Sequence, residues 1–267
     1  LTTRPMARLS VGMICHDATD LRRCLESVWQ IADEIVIGDT GGGNELATEA
    51  ARYPRTRIVQ VGPVPKLPGG FSEARNRVLA ECQGEWFLWI DTDERLMRGH
   101  RLQRYLEGAV FNGYGINQRH LMLDTPNTFD TPIRVFRRLP SIEFYGCIHE
   151  QPQQGDCNGD ILPSLQLNDV EIAHTGYLND DIRRDKALQR NLPLLVRDRE
   201  VFPDRTLGIL LVQRDALNLG IWAMEAAGGR LTADAKKHFG QVIALYEQHF
   251  ADPGHKYHAL GRPFYEA

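Results

Sequence analysis

The sequence contains few cysteines, and they are neither closely paired nor even in number. Five cysteines are scattered over 267 residues, without the C-x-x-C pairs of a zinc site or the dense spacing of a disulfide-rich secreted module. We therefore expect free thiols, a reducing environment and a cytoplasmic protein.

Long apolar runs and an excess of one charge are also missing. No run approaches the roughly 18 apolar residues that cross a bilayer, and the first ten residues lack the apolar centre of a signal peptide. The 31 basic and 35 acidic residues give a net charge of −4, which offers no electrostatic footprint for nucleic acid or an anionic membrane. We predict no transmembrane segment and no nucleic-acid partner.

Several common catalytic motifs are absent as well. Neither G-x-G-x-x-G after a first strand nor G-x-x-x-x-G-K-[ST] occurs, which disfavours nicotinamide cofactors and P-loop chemistry. No G-x-S-x-G marks a serine hydrolase. The segment HEQPQ has Gln153 where a zinc protease needs its second histidine.

The first third of the chain does contain a regular alternation of apolar runs and amphipathic segments. Apolar residues recur at helical spacing between the runs, which is the pattern of βαβ units in a mostly parallel sheet. Strands are predicted at Leu9–Cys15, Glu34–Asp39, Arg57–Val61 and Trp86–Ile90.

The remainder of the chain changes character twice. Short β-prone pieces interrupted by Pro, Asn, Asp and Gly follow as far as residue 174, and helical segments are predicted at 180–197, 205–226 and 232–249. We predict an α/β domain over residues 8–178, with a mixed, mostly parallel sheet flanked by helices, and a helical C-terminal region over residues 179–267. The apolar stretches Ile209–Leu217 and Ile221–Ala227 could form a homodimer or cap the sheet domain.

The fourth predicted strand runs into two aspartates, in the segment WFLWIDTDERL. Asp91 and Asp93 would lie at the carboxyl end of that strand, where open α/β sheets bind ligands. Residues i and i+2 of a strand point to the same face, so the two carboxylates would converge if the strand extends that far. Mn²⁺ or Mg²⁺ would offset their repulsion and take oxygens of a substrate diphosphate as further ligands. Aspartates that form a turn or cap a helix are the alternative.

Four segments together resemble the family 2 glycosyltransferases of the Rossmann-like GT-A fold. They are residues 10–45, residues 71–96, CIHEQ at 147–151 and HTGY at 174–177. The similarity spans roughly residues 8 to 197 and is to a subgroup with DxD, HE and HxGY blocks and a helical C-terminal region. It implies metal-dependent, inverting transfer of a sugar from a UDP- or GDP-sugar to a glycan, lipid or peptide acceptor.

The resemblance also implies roles for residues of the first half. Asp39 matches the acid that meets the nucleotide base, and Arg75 and Asn76 match residues of the nucleotide pocket. Asp91 is expected near the ribose and the metal, and Asp93 as a direct metal ligand. A loop-capping Asp39 and a solvent-exposed Arg75 are the alternatives.

Further along the chain, four more residues match the family pattern. His149 is expected at the donor, and Glu150 is the candidate base that takes the acceptor proton. His174 is expected to complete the metal shell or contact the diphosphate, and Tyr177 to contact the donor. A surface Glu150 and a structural His174 are the alternatives.

Other features leave parts of this interpretation open. Lys186 and Arg190 could approach the leaving diphosphate or lie on a solvated helix face. Asp17 and Ala18 stand where an Asn-Glu pair is common in the family, so the nucleotide is undetermined. A catalytically inactive nucleotide-binding or assembly module is the non-enzymatic rival. A sugar-phosphate nucleotidyltransferase is the enzymatic rival, although CHDATD lacks the Gly-rich basic loop of that class.

Overall fold

The computed structural model describes residues 8–122, 126–155, 162–176, 185–203, 205–255 and 258–266. The chain divides into two compact units. The first comprises residues 1–156 and 160–184, contains the β-strands, and is called the sheet unit. The second comprises residues 157–159 and 185–267 and is called the helical unit.

Among its described residues, the sheet unit forms a nine-stranded sheet and a separate two-stranded sheet. The strands are β1 Leu9–Cys15, β2 Glu34–Asp39, β3 Thr56–Gln60, β4 Trp86–Trp89, β5 Glu94–Met97, β6 Gly113–His120, β7 Thr128–Asp130, β8 Ile133–Arg137, β9 Ile142–Tyr145, β10 Gln151–Gln154 and β11 Ser164–His174. The larger sheet has the order β3-β2-β1-β4-β8-β6-β11-β5, with β7 paired to β6, and β9 pairs with β10.

Parallel pairing is concentrated in the first half of the larger sheet. Strands β3, β2, β1 and β4 are parallel neighbours, and β6 and β11 form a further parallel pair. Strand β8 is antiparallel to both β4 and β6, and β5 is antiparallel to β11. The predicted α/β fold, a mixed Rossmann-like sheet with C-terminal helices, is confirmed.

Both faces of the sheet are covered at its centre, where β1 and β4 are buried along their whole length. Trp86 and Leu88 of β4 face one hydrophobic cluster, while Phe87 and Trp89 face the other. The α-helices in the described part of this unit are α1 Leu21–Val28, α2 Gly43–Ala50, α3 Gly70–Glu81 and α4 Leu102–Glu107. Two-sided burial is the pattern of strands enclosed between helices.

Two predicted strand bounds need correction. The third strand is Thr56–Gln60, one residue earlier than predicted, and β4 ends at Trp89 rather than Ile90. Asp91 and Asp93 therefore lie in a turn after the strand, so the alternation of strand side chains does not bring them to one face. The condition for their convergence is not met.

The helical unit contains a π-helical segment, Ala187–Asn191, followed by α5 Leu192–Val201, α6 Thr206–Ala226, α7 Ala233–His249 and α8 His258–Glu266. Helices α6 and α7 match the predicted segments within one residue. The Thr232 hydroxyl caps α7 by accepting a hydrogen bond from the Ala235 N–H at 3.1 Å. None of the described helices is both long and apolar enough to cross a membrane.

The apolar stretches predicted to form a dimer surface differ in exposure. Ile209, Leu210 and Val212 are buried within the chain, so Ile209–Leu217 does not offer a continuous exposed apolar surface. Ile221, in the second stretch, is 39% exposed. A homodimer through the helical region stays a prediction.

Candidate active site

The turn after β4 is fixed by a fully buried carboxylate, Glu94. Its Oε2 accepts a hydrogen bond from the Asp91 N–H at 2.8 Å, and its two oxygens accept from Arg134 at 2.9 and 2.7 Å. The amide of Gln118 donates to Oε1 at 2.6 Å. Burial raises the pKa of Glu94, although the charge of Arg134 works in the opposite direction. This network positions the backbone that carries Asp91 and Asp93.

Trp89, the last residue of β4, contacts two guanidinium groups. Arg134 stands 3.7 Å from the centre of its ring system and Arg75 stands 4.3 Å from it. The indole N–H donates to the Ile133 carbonyl at 2.7 Å, which fixes the ring. Such cation–π contacts strengthen when the cation is desolvated. Trp89 thus helps to orient both arginines.

Arg75, on α3, joins two of the predicted site residues. Its Nη2 donates to Asp91 Oδ1 at 2.8 Å, and its Nε donates to Glu150 Oε1. Arg75 is only 5% exposed and Glu150 only 8%. Burial by itself would raise the pKa of Asp91, but the charges of Arg75 and Arg134 lower it to about 2. Asp91 is therefore ionised, and the predicted solvent-exposed alternative for Arg75 is wrong.

Asp93 takes a different partner, His174, at the end of β11. His174 Nε2 lies 3.4 Å from Asp93 Oδ2, and His174 Nδ1 lies 2.7 Å from Nδ1 of His120. The Thr175 N–H and hydroxyl both donate to the Asp93 carbonyl, at 3.1 and 2.9 Å. Burial lowers the pKa of His174, but the hydrogen bond and charge of Asp93 outweigh burial and raise it.

Gly176 lies directly against the side chains of Asp93 and His174. A Cβ at residue 176 would lie 2.2 Å from Asp93 Oδ2 and 2.5 Å from His174 Nε2. These distances are far below van der Waals contact, so only glycine leaves the two atoms unobstructed. The carboxylate oxygen and the imidazole nitrogen consequently face the same small space. Among the described residues, no three His, Cys, Asp or Glu side chains are grouped closely enough to ligate one ion.

The loop before Glu150 is braced against α3. Asn76 donates to the Phe144 carbonyl at 2.9 Å and accepts from the Phe144 N–H at 2.7 Å, so its amide supports β9. His149 adopts a left-handed backbone conformation, with φ of 49°, which is uncommon for a residue other than glycine. This conformation precedes the residue that enters the buried ion pair with Arg75. Strain at such positions is found often at functional sites.

Asp39 lies at the carboxyl end of β2, on the same edge of the sheet as the end of β4. Its Oδ1 accepts from the N–H groups of Gly41 and Gly42 at 2.9 and 2.8 Å, and its Oδ2 accepts from Gln60 at 3.2 Å. Burial raises the pKa of Asp39, but these hydrogen bonds outweigh it and lower the pKa overall. The loop-capping interaction given as the alternative is thus present.

The predicted residues therefore fall into separate groups. Arg75, Asp91 and Glu150 are joined by ion pairs, and Asp93 and His174 form a second contact. Tyr177 lies outside the described residues, and Lys186 and Arg190 belong to the helical unit.

Sequence reasoning missed several residues that complete these groups. They are His120, Arg134, Gln118 and Gly176. Only the glycine of the HTGY block carried a signal, because a glycine beside a candidate ligand suggests close approach. The other three are brought in by strand pairing.

Comparisons with known proteins agree with this architecture. The family model described as glycosyl transferase family 2 matches residues 10–155. A TPR repeat-containing protein of Synechococcus elongatus is 37% identical over 234 residues, which cover 79% of this chain and 54% of that protein. The SPbeta prophage-derived glycosyltransferase SunS of Bacillus subtilis is 22% identical over 191 residues, covering 70% and 44%.

A solved structure shares the fold at low sequence identity. The S. aureus TarS 1–349 structure, a complex with UDP-GlcNAc, superposes with a TM-score of 0.52 at 12% identity, covering 97% of this chain and 78% of that one. The chain spans about half the length of the curated relatives that it matches.

Proposed function

Because the chain belongs to glycosyl transferase family 2, we propose that it transfers a sugar from a nucleotide-diphosphate sugar to an acceptor nucleophile, with inversion at the anomeric carbon. The observation that carries this proposal is that the turn after β4 connects two clusters of charged or ligating side chains. Asp91 accepts a hydrogen bond from Arg75, which also donates to Glu150. Asp93 contacts His174, and Gly176 lies against both side chains.

The residues present are suited to a divalent cation. Asp93 and His174 offer a carboxylate oxygen and an imidazole nitrogen 3.4 Å apart, and Gly176 leaves that space open. Two protein ligands are enough for a cation that takes its remaining ligands from substrate phosphates and water. The nitrogen ligand favours Mn²⁺ over Mg²⁺, which prefers oxygen. When bound, the cation would neutralise the charge that develops on the departing diphosphate.

Asp91 has a different role in this proposal. Its Oδ1 accepts a hydrogen bond from Arg75 at 2.8 Å, so that oxygen already has a cationic partner. We assign it to the donor's ribose and to holding Arg75, while Asp93 and His174 serve as the direct ligands. This division differs from a site in which both aspartates of the D-x-D segment ligate the ion.

Glu150 is the proposed base. It would remove the acceptor proton as the acceptor atom attacks the anomeric carbon from the side opposite the diphosphate. Arg75 orients the carboxylate through Nε, and the stacked Trp89 ring fixes that guanidinium. An oriented base needs little rearrangement before attack, which lowers the barrier.

The nucleotide is proposed to lie along the edge between Asp39 and Asp91. Asp39 is a carboxylate acceptor at the end of β2, suited to an N–H of a nucleotide base. His149 and Tyr177 remain proposed donor contacts. Asn76 would act indirectly, since its amide is occupied by the Phe144 backbone. A UDP-sugar is the first donor to test because the TarS structure is a complex with UDP-GlcNAc.

The test is ligand-linked stabilisation, measured with the whole chain. We expect UDP-GlcNAc to raise the melting temperature in the presence of Mn²⁺, because a ligand at 100 times its Kd stabilises by about 2.7 kcal/mol. Asp93→Ala should remove the Mn²⁺-dependent part of that shift. Glu26→Ala, an exposed acid on α1, is the control and should behave as wild type.

Two results would contradict the proposal. No Mn²⁺-dependent stabilisation by UDP-, GDP-, dTDP- or CDP-sugars would favour an inactive assembly module. An Asp93→Ala protein that keeps metal-dependent transfer would remove Asp93 as the ligand.

A further inference from the structure

His120 is a histidine beside the candidate metal ligand that plays no part in the mechanism above. It ends β6, and His174 ends the neighbouring parallel strand β11, where the two residues are paired in register. Their Nδ1 atoms are 2.7 Å apart, with the rings at 80° and their centres 4.9 Å apart. The two side chains therefore share a hydrogen bond across the strand pair.

Only one proton can lie between two Nδ1 atoms, so the tautomers of the two rings are linked. If His174 donates through Nδ1–H, its Nε2 carries a lone pair directed at the space shared with Asp93 Oδ2, 3.4 Å away. If His120 donates instead, neutral His174 must carry its proton on Nε2. Only the first arrangement can ligate a cation, since a ligating nitrogen must be unprotonated.

We propose that His120 is a positioning residue that accepts the Nδ1–H of His174 and thereby directs the His174 Nε2 lone pair to a cation shared with Asp93. This inference rests on the proposed function. His120 does not itself contact the cation or the donor. Its role is that of the outer hydrogen-bond partners which fix the tautomer and ring orientation of ligating histidines.

Backbone hydrogen bonds also hold the ends of these strands. The Leu121 N–H donates to the His174 carbonyl at 2.9 Å, and the Thr175 N–H donates to the Asp93 carbonyl at 3.1 Å. Both are backbone bonds that would survive a change at residue 120. A substitution there can therefore alter the imidazole proton without removing the local β-structure.

The experiment measures Mn²⁺ binding by electron paramagnetic resonance in the presence of UDP, with no sugar and no turnover. His120→Leu, which neither donates nor accepts, should raise the Kd for Mn²⁺ by about 10- to 100-fold, the usual cost of losing an outer partner. His120→Asn, whose amide can accept near the position of Nδ1, should keep the wild-type affinity. His100→Leu, a change at an exposed histidine of the same unit, is the control.

A second measurement does not depend on any variant folding. Nitrogen NMR of ¹⁵N-imidazole-labelled wild-type protein with Mg²⁺ and UDP should show His174 protonated on Nδ1 and His120 unprotonated on Nδ1. The reverse assignment would overturn the inference.

The binding results separate the inference from the proposed function. Wild-type affinity in His120→Leu overturns the inference alone, and so does an Asn variant as weak as the Leu variant, because packing would then explain the loss. A wild-type protein that binds no Mn²⁺ with UDP overturns the metal site itself and the inference with it.

Discussion

Gly176→Ala should strongly weaken metal binding while leaving the fold intact. The added methyl carbon would stand 2.2 Å from Asp93 Oδ2 and 2.5 Å from His174 Nε2, whereas ordinary contact begins near 3.4 Å. At least one of these atoms must move by about 1 Å or more. His174 is 7% exposed and bonded to His120, so Asp93 is the group that turns away.

The magnitude follows from the number of ligands lost. Displacing one of two protein ligands should cost at least as much as losing an outer partner, so we expect the Kd for Mn²⁺ to rise by about 100-fold or more. That factor corresponds to about 2.8 kcal/mol, at 1.4 kcal/mol for each tenfold. The free energy of unfolding should change by only about 1 kcal/mol, because the clash falls on side-chain ends rather than backbone.

The assay compares Mn²⁺ titrations by electron paramagnetic resonance, with UDP present, against thermal unfolding followed by circular dichroism. Gly240→Ala is the matched control, since a Cβ there meets nothing within 4 Å. Unchanged Mn²⁺ affinity in a folded Gly176→Ala protein would refute the assignment of the Asp93–His174 space as the cation site.

Two further predictions concern the neighbouring ion pairs. Glu150→Gln should reduce sugar transfer strongly while UDP-sugar binding, followed by calorimetry, is preserved; near-normal turnover would exclude Glu150 as the base. Arg134→Met should lower the free energy of unfolding by about 3–5 kcal/mol, because it leaves the fully buried Glu94 without its cation. The exposed Arg22, paired with Glu26, provides the control, for which Arg22→Met should cost less than about 1 kcal/mol in urea unfolding. Equal losses in the two variants would show that Glu94 does not depend on Arg134.

The strands of the first half could be read from the sequence almost to the residue. Predicted bounds for β1 and β2 agree with the structure at both ends. Their apolar runs are flanked by polar or turn-forming residues, which mark both ends of each strand. The end of β4 was predicted one residue too far, because Ile90 is buried like a strand residue although the strand has ended. Burial and strand pairing are separate properties.

The candidate site was predicted only in part. The sequence placed Asp91 and Asp93 two residues apart, and residues i and i+2 share a face only in a continuous strand. In the turn that follows β4, Asp91 contacts Arg75 and Asp93 contacts His174. Local spacing could not show this division, because each partner lies on a different element of the sheet unit.

The sequence by itself determined the fold class and the family, and it predicted most of the residues that are proposed for the chemistry. Hydrophobic periodicity is a local signal, and it specifies which faces must be buried. The tertiary structure alone decided which side chains meet. His120 and His174 are 54 positions apart and contact each other only because β6 and β11 are parallel neighbours in register. Strand order and register arise from the packing of the whole sheet, so no short window of sequence contains them.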